Sequence, residues 1–244
     1  MDNIFIIVVP FYNVEKYIAK TIKSVLAQDY KNYGCILVND KSTDNSLEIC
    51  ENLVGDNPHF KIINNETKKC SLENIYNAIH GYTPNNSVIV ILDGDDFLFG
   101  KDVLTHLNET YKKENCLLTY GSYVNLSNKR KGKFAKQIPD YVIKNNDFRK
   151  HEWCTSHLRS FKASLFKKIK KKDLCDENGF YTITGDLAIM FPMLEMAGER
   201  SKYIDKILYI WNDLNVLNDH KKDNAKQIMV ERILRGGKKY VRLD

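Results

Sequence analysis

Val88-Ile89-Val90-Ile91-Leu92-Asp93-Gly94-Asp95-Asp96 sets the fold. Five apolar residues, four of them β-branched, end abruptly in three carboxylates around one glycine. Val88 to Leu92 reads as a strand buried on both faces. Such a strand delivers the residues after it to the carboxyl edge of a sheet, where open α/β folds bind ligands. Asp93 and Asp95 offer hard oxygen ligands that suit Mg²⁺ or Mn²⁺ accompanying a diphosphate. The same residues also suit a plain acidic turn. Their surroundings decide between the two.

On either side of this stretch, residues 3 to 121 alternate strand and helix signals. Strands are predicted at Ile4 to Val9, Cys35 to Val38, Lys61 to Ile63, Val88 to Leu92 and Leu117 to Tyr120. Helices are predicted from Val14 to Ala27, from caps at Ser42-Thr43-Asp44 through Leu53, from Ser71 to His80, and from Lys101 to Lys112. This rhythm specifies an α/β fold with a mostly parallel central sheet and helices on both faces. The second half is thinner. Residues 122–150 read as a long polar loop. Phe161 to Ile169 and Thr184 to Ala197 read as helices, Ile207 to Ile210 as a strand, and Asp223 to Tyr240 as a basic amphipathic helix. The organisation expected is a first half (1–121), a second half of the same domain (122–220), and a basic helical tail (221–244).

Four polar segments come after the first four strands: Val9-Pro10-Phe11-Tyr12-Asn13, Val38-Asn39-Asp40-Lys41-Ser42-Thr43-Asp44, Asn64-Asn65-Glu66, and the acidic motif. They meet on one rim of the sheet. In order and spacing they resemble glycosyltransferase family 2, whose nucleotide-sugar-binding fold is called GT-A, a Rossmann-like architecture. The family's "V(D/N)DGSTD" is matched by Val38 to Asp44, its "DxD" by Asp93-Gly94-Asp95, and its catalytic "ED" helix by Gly185-Asp186. Two positions depart from the pattern. Lys41 replaces a glycine, which implies a different backbone conformation there. Gly185 replaces the glutamate before the catalytic aspartate.

The resemblance implies a metal-dependent inverting transfer of a sugar, from a UDP-sugar to an acceptor hydroxyl. Phe11 or Tyr12, after Pro10, would stack on the base. Asp40 would accept from the uracil ring N–H. Asn65, Lys69, Asn74 and Asn77 would reach the sugar or diphosphate, with Asn74 and Asn77 sharing a helix face. Asp93 and Gly94 would meet the donor. Asp95, with Asp93 and His220, would hold Mn²⁺ or Mg²⁺, and Asp186 would be the general base. His157 and Arg159 would meet an acceptor anion or the diphosphate. Each position also has a plainer reading: core aromatic, Asx turn, solvated face, or helix N-terminal aspartate.

Composition narrows the alternatives. The chain has 244 residues, is 43% hydrophobic and carries a formal charge of +6, so it can bury a sizeable core. The excess charge gathers at Lys129 to Lys133, Lys167 to Lys172, and Lys238, Lys239 and Arg242. These clusters read as solvated faces or as contacts for an anionic surface. No nucleic-acid-binding motif accompanies them, so no nucleic-acid partner is expected. The six cysteines lack a CxxC pair, no apolar run approaches a membrane span, and the start lacks a signal-peptide pattern. A cytoplasmic enzyme is expected, with a glycan, a protein or a lipid-linked molecule as acceptor. The competing readings are a nucleotidyltransferase, which ordinarily carries a glycine-rich basic loop after its first strand, and a catalytically degenerate nucleotide-sugar-binding module.

Overall fold

The computed structural model describes residues 1–216 and 223–243. Ten strands and eight α-helices are described along the chain. The strands are β1 (Phe5–Phe11), β2 (Tyr33–Asn39), β3 (Phe60–Asn64), β4 (Val88–Ile91), β5 (Phe97–Leu98), β6 (Leu118–Asn125), β7 (Arg159–Lys162), β8 (Cys175–Asp176), β9 (Gly179–Phe180) and β10 (Ser201–Trp211). The helices are α1 (Ile18–Leu26), α2 (Ser46–Val54), α3 (Ser71–Tyr82), α4 (Val103–Glu114), α5 (Asp140–Lys144), α6 (Ala163–Phe166), α7 (Gly185–Ala197) and α8 (Asn224–Gly236).

The main sheet has eight strands in the order β3-β2-β1-β4-β7-β6-β10-β5. Strands β3, β2, β1 and β4 run parallel, as do β6 and β10. Strand β7 is antiparallel to both of its neighbours, and β5 is antiparallel to β10. Side chains alternate across the sheet as the strand period requires. Val8, Ile36, Ile89 and Ile91 face a core shared with α3, α7 and α8. Ile7, Leu37, Val88 and Val90 face a second core shared with α1, α2 and α4. The sheet is thus covered by helices on both faces.

Two expectations need correction. Residues 122–150 are not one long loop: β6 runs to Asn125, α5 lies within the span, and Ile138, Val142 and Phe148 are buried. Their spacing of four and six among charged residues hides them from a periodicity reading. Phe161 to Ile169 is not one helix, because Arg159–Lys162 pairs with β4 before α6 begins. The cap that the Ser42-Thr43-Asp44 segment offers α2 comes from Asp44, one residue before the N-cap position that Asn45 holds: Asp44 Oδ1 accepts from the Ser46 N–H at 3.0 Å. The segment also ties the β2 and β1 loops together. Helix α3 starts after Cys70, with no side-chain cap.

Helix α7 is apolar all round, and every residue from Leu187 to Ala197 is buried. One of them is Glu195, whose carboxylate pairs with the Arg149 guanidinium at 2.6 and 3.0 Å. The same carboxylate accepts from the Tyr240 backbone N–H at 2.9 Å, and Arg149 also donates to the Leu234 carbonyl. The basic C-terminal segment is therefore stitched to the buried helix. Helix α8 adds Val230 and Leu234 to that core. Among the described residues no helix is long and apolar enough to cross a membrane.

Candidate functional site

The carboxyl ends of β1 and β4 open into a cleft of about 600 Å³. Its lining includes Pro10 to Tyr12, Lys68, Lys69, Asp93 to Asp96, His157, Arg159, Trp211, Asn215 and the segment from Tyr181 to Asp186, with His157 Nε2 3.8 Å from Asp93 Oδ2. The topology explains this meeting. Because β7 runs antiparallel to β4, Arg159 pairs with Ile91 at the end of β4. A strand running the wrong way thus delivers His157 and Arg159 to the rim that carries the acidic motif.

The β1 loop is held by the segment after β2. Asn13 N–H donates to Ser42 Oγ (3.0 Å), Val14 N–H to Ser46 Oγ (2.8 Å), and Glu15 N–H to Asp44 (3.1 Å). Lys41 sits at φ 62°, the left-handed conformation a glycine would take. The expected change of backbone is therefore corrected: the lysine keeps the glycine geometry, because Ser42 N–H must still reach Asn39 Oδ1 at 3.0 Å.

Asp40 is buried, and its Oδ1 accepts from the Lys69 backbone N–H (2.8 Å) and from Asn65 Nδ2 (3.2 Å). Asn65 donates onward to Asn74 Oδ1 at 2.7 Å. Asp40, Asn65 and Asn74 thus form a hydrogen-bonded polar cluster next to Lys69, and none of the three is among the residues lining the cleft. Asn77 is exposed, does not share the buried face of Asn74, and contacts Glu73. Phe11 is 4% exposed and packs in the core, which leaves Tyr12 as the accessible aromatic, with Lys68 Nζ 3.2 Å from its ring centre. Gly94 is required by close packing: a Cβ there would lie 2.4 Å from Phe11 Cβ.

The three carboxylates differ. Asp93 and Asp95 line the cleft, and Asp95 Oδ2 accepts from Asn215 Nδ2 at 2.6 Å. Asp96 points inward and is buried, with Oδ2 accepting from the Tyr209 hydroxyl and Oδ1 from the Asn212 N–H, both at 2.6 Å. Burial, then Asp95 and Asp93, push its pKa well above the usual carboxylate range. Among the described residues, ligand atoms of Asp93, Asp96 and His157 lie within 4.8 Å of one another. Both Asp96 oxygens are taken by protein donors, however, and His157 Nε2 accepts from Arg159 Nη2 at 2.7 Å. Burial, and next the guanidinium, drive the imidazole pKa well below its ordinary value, so the ring is neutral. Asp93 and Asp95 both present carboxylates, hard oxygen ligands, along the cleft. His220 lies outside the described residues.

Asp186 opens α7 in the same cleft, with its side chain 35% exposed. Its Oδ1 accepts from Leu187 N–H (2.9 Å) and its Oδ2 from Arg159 Nη1 (3.1 Å). Arg159 thus contacts both Asp186 and His157 where it lines the cleft. The preceding Gly185 has a packing reason, since a Cβ there would lie 3.2 Å from the buried Leu72 Cβ. Sequence reading assigned no role to Tyr209, Asn212, Asn215 or Trp211. They come from the end of β10 and just beyond it, where only an ordinary apolar strand was legible. The cysteines are all free thiols; burial pushes Cys50 up to about 12 and Cys116 and Cys154 to about 11, so none of these three is a nucleophile at neutral pH.

The fold is shared with solved enzymes. TarS of S. aureus, in a crystal structure with UDP-GlcNAc, superposes with a TM-score of 0.70 at 18% identity, over 95% of this chain and 65% of that one. A mannosyltransferase from Pyrobaculum calidifontis, in complex with GDP-Man and Mn²⁺, gives 0.66 at 15% identity, over 98% and 66%. In sequence the chain is 29% identical over 125 residues to the glycosyltransferase GlyG of Streptococcus pneumoniae, 51% of this chain and 40% of that one. The chain thus spans less than half the length of that relative. The description of glycosyl transferase family 2 matches residues 6–170. That match covers well over half of the sequence and includes the β1 loop, the Asp40 segment and the acidic motif, so the chain belongs to glycosyl transferase family 2.

Proposed function

We propose that this chain is the transferase unit of an inverting, metal-dependent enzyme that moves a sugar from a UDP-sugar to an acceptor hydroxyl. One observation carries the reading: the carboxylates of Asp93 and Asp95 and the carboxylate of Asp186 line one cleft. In such a site the donor and the acceptor meet among charge-neutralising and proton-accepting groups.

Tyr12 offers its ring to the base, and Asp40 Oδ2 is the oxygen left to accept from the base N–H. Asn65 and the Lys69 N–H hold Oδ1 and so fix the carboxylate plane. Asp93 and Asp95 would hold Mn²⁺ or Mg²⁺, which when bound offsets charge on the departing diphosphate. Asp186 takes the proton of the acceptor hydroxyl. The acceptor oxygen then bonds to the anomeric carbon as the carbon–oxygen bond to the diphosphate breaks, with that electron pair leaving on the diphosphate. Attack from the face opposite the leaving group inverts the anomeric centre. Neighbouring folds holding UDP-GlcNAc and GDP-Man with Mn²⁺ support a nucleotide-sugar donor and a divalent cation.

The test is a panel of nucleotide sugars with Mn²⁺, read out by release of the nucleoside diphosphate. UDP-sugar turnover that EDTA abolishes and Mn²⁺ restores is expected. Full turnover in chelator, or turnover of GDP-sugars alone, contradicts the reading. Asp186→Asn should leave UDP affinity unchanged and cut turnover by about 10²–10⁴.

A further inference from the structure

We infer that Arg159 is a positioning residue for Asp186, and that His157 holds Arg159 in place. This inference rests on Asp186 being the base. A carboxylate at the first turn of a helix, one-third exposed, has rotamers to choose from. Here both oxygens are tied: Oδ1 to the Leu187 N–H of its own helix and Oδ2 to Arg159 Nη1. The guanidinium is in turn fixed at its other end, where Nη2 donates to His157 Nε2 at 2.7 Å. That contact requires Nε2 to be the unprotonated ring nitrogen, with the proton on Nδ1, a buried atom with no hydrogen-bond partner among the described residues.

The imidazole is itself clamped. It stacks on Tyr209 with ring centres 4.6 Å apart and meets the edge of Tyr123 at 5.6 Å. The Tyr209 hydroxyl donates to Asp96 and accepts from the Asp93 N–H. A continuous run of contacts thus leads from the acidic motif through Tyr209, His157 and Arg159 to Asp186. It runs through strand β7, whose register against β4 places Arg159 opposite Ile91. With Nη1 on Asp186, Nη2 on His157 and its side chain 7% exposed, Arg159 acts on the reaction through the carboxylate it holds.

A double-mutant cycle tests this. Arg159→Ala, Arg159→Lys, Asp186→Asn and the Arg159→Ala/Asp186→Asn pair are assayed for UDP-GlcNAc hydrolysis with Mn²⁺. Arg159→Ala should lower kcat by about 10- to 100-fold, the scale for a reacting group displaced by an ångström. The donor KM should stay within about twofold, and added guanidinium ion should restore part of the rate. In the Asp186→Asn background the same substitution should cost less than about twofold more. Losses that multiply, or a raised KM at unchanged kcat, would mean that Arg159 acts on the donor and would overturn the inference. Normal turnover in Asp186→Asn would instead remove the base reading. Arg159→Lys keeps a buried cation if the alanine variant fails to fold. Independently of turnover, the Arg159 Nη resonances of the free protein should broaden in Asp186→Asn and stay unchanged on adding UDP and Mg²⁺; the reverse pattern would refute the assignment.

Discussion

Lys41 holds a left-handed backbone at φ 62° with an exposed side chain that makes no ion pair among the described residues. A non-glycine residue there costs on the order of 1 kcal/mol. Lys41→Gly should therefore leave UDP affinity unchanged and raise stability by up to about 1 kcal/mol, part of it offset by the freer unfolded chain. Urea unfolding of the two proteins measures it, and a loss of more than about 1 kcal/mol would show that the lysine side chain supports the loop. Gly185 carries the opposite prediction. Restoring the family's glutamate places a Cβ 3.2 Å from Leu72 Cβ, a backbone-anchored atom in a packed core. Gly185→Glu should destabilise by about 1–3 kcal/mol, the usual cost of overpacking. Pairing it with Leu72→Ala should relieve little of that cost, because alanine keeps the Cβ that the glutamate meets. At this scale the sequence was legible where a motif fixes a position and opaque where a side chain's partner lies far along the chain. Asp93, Asp95 and Asp186, singled out by the motifs of the family resemblance, all line the cleft. Asn74 and Asn65 carry no mark in sequence to say that their amides would face Asp40 and each other.

At the scale of elements, β1 to β4 were readable because β-branched runs buried on two faces have one explanation. Strand β7 was not. Arg159-Ser160-Phe161-Lys162 has no strand-like composition, and it exists because the open edge of β4 must be paired. Helix α7 was legible as a helix but not as a buried one, since Glu195 argues for a solvent face. Its carboxylate is tolerated because Arg149 and the Tyr240 N–H satisfy it. Arg149→Met leaves that charge uncompensated and should cost about 3–5 kcal/mol, with the segment after Gly236 becoming the first site of limited proteolysis. Arg149→Met/Glu195→Met should regain most of the loss. A single variant as stable as the original would show that the pair does not anchor the C-terminal segment.

At the scale of the whole molecule, four parallel strands set a donor-facing rim, and one reversed strand joins that rim to the helix bearing Asp186. The parallel half of the sheet was evident from the alternation of elements. The reversal at β7, and with it the link from the acidic motif to Asp186, belongs to the tertiary fold alone. If the rim works as one unit, Asp40 and the Asp93–Asp95 pair form a single site for a uridine diphosphate and a divalent cation. Calorimetric titration of UDP in the presence of Mn²⁺ is the decisive measurement, with the original protein, Asp40→Ala and Asp95→Asn compared under identical conditions. Binding that EDTA weakens is expected, with a loss of about 1–3 kcal/mol for Asp40→Ala and loss of the Mn²⁺ dependence for Asp95→Asn. UDP affinity unchanged in a folded Asp40→Ala protein, or equal with and without Mn²⁺ in the original, would contradict the single site.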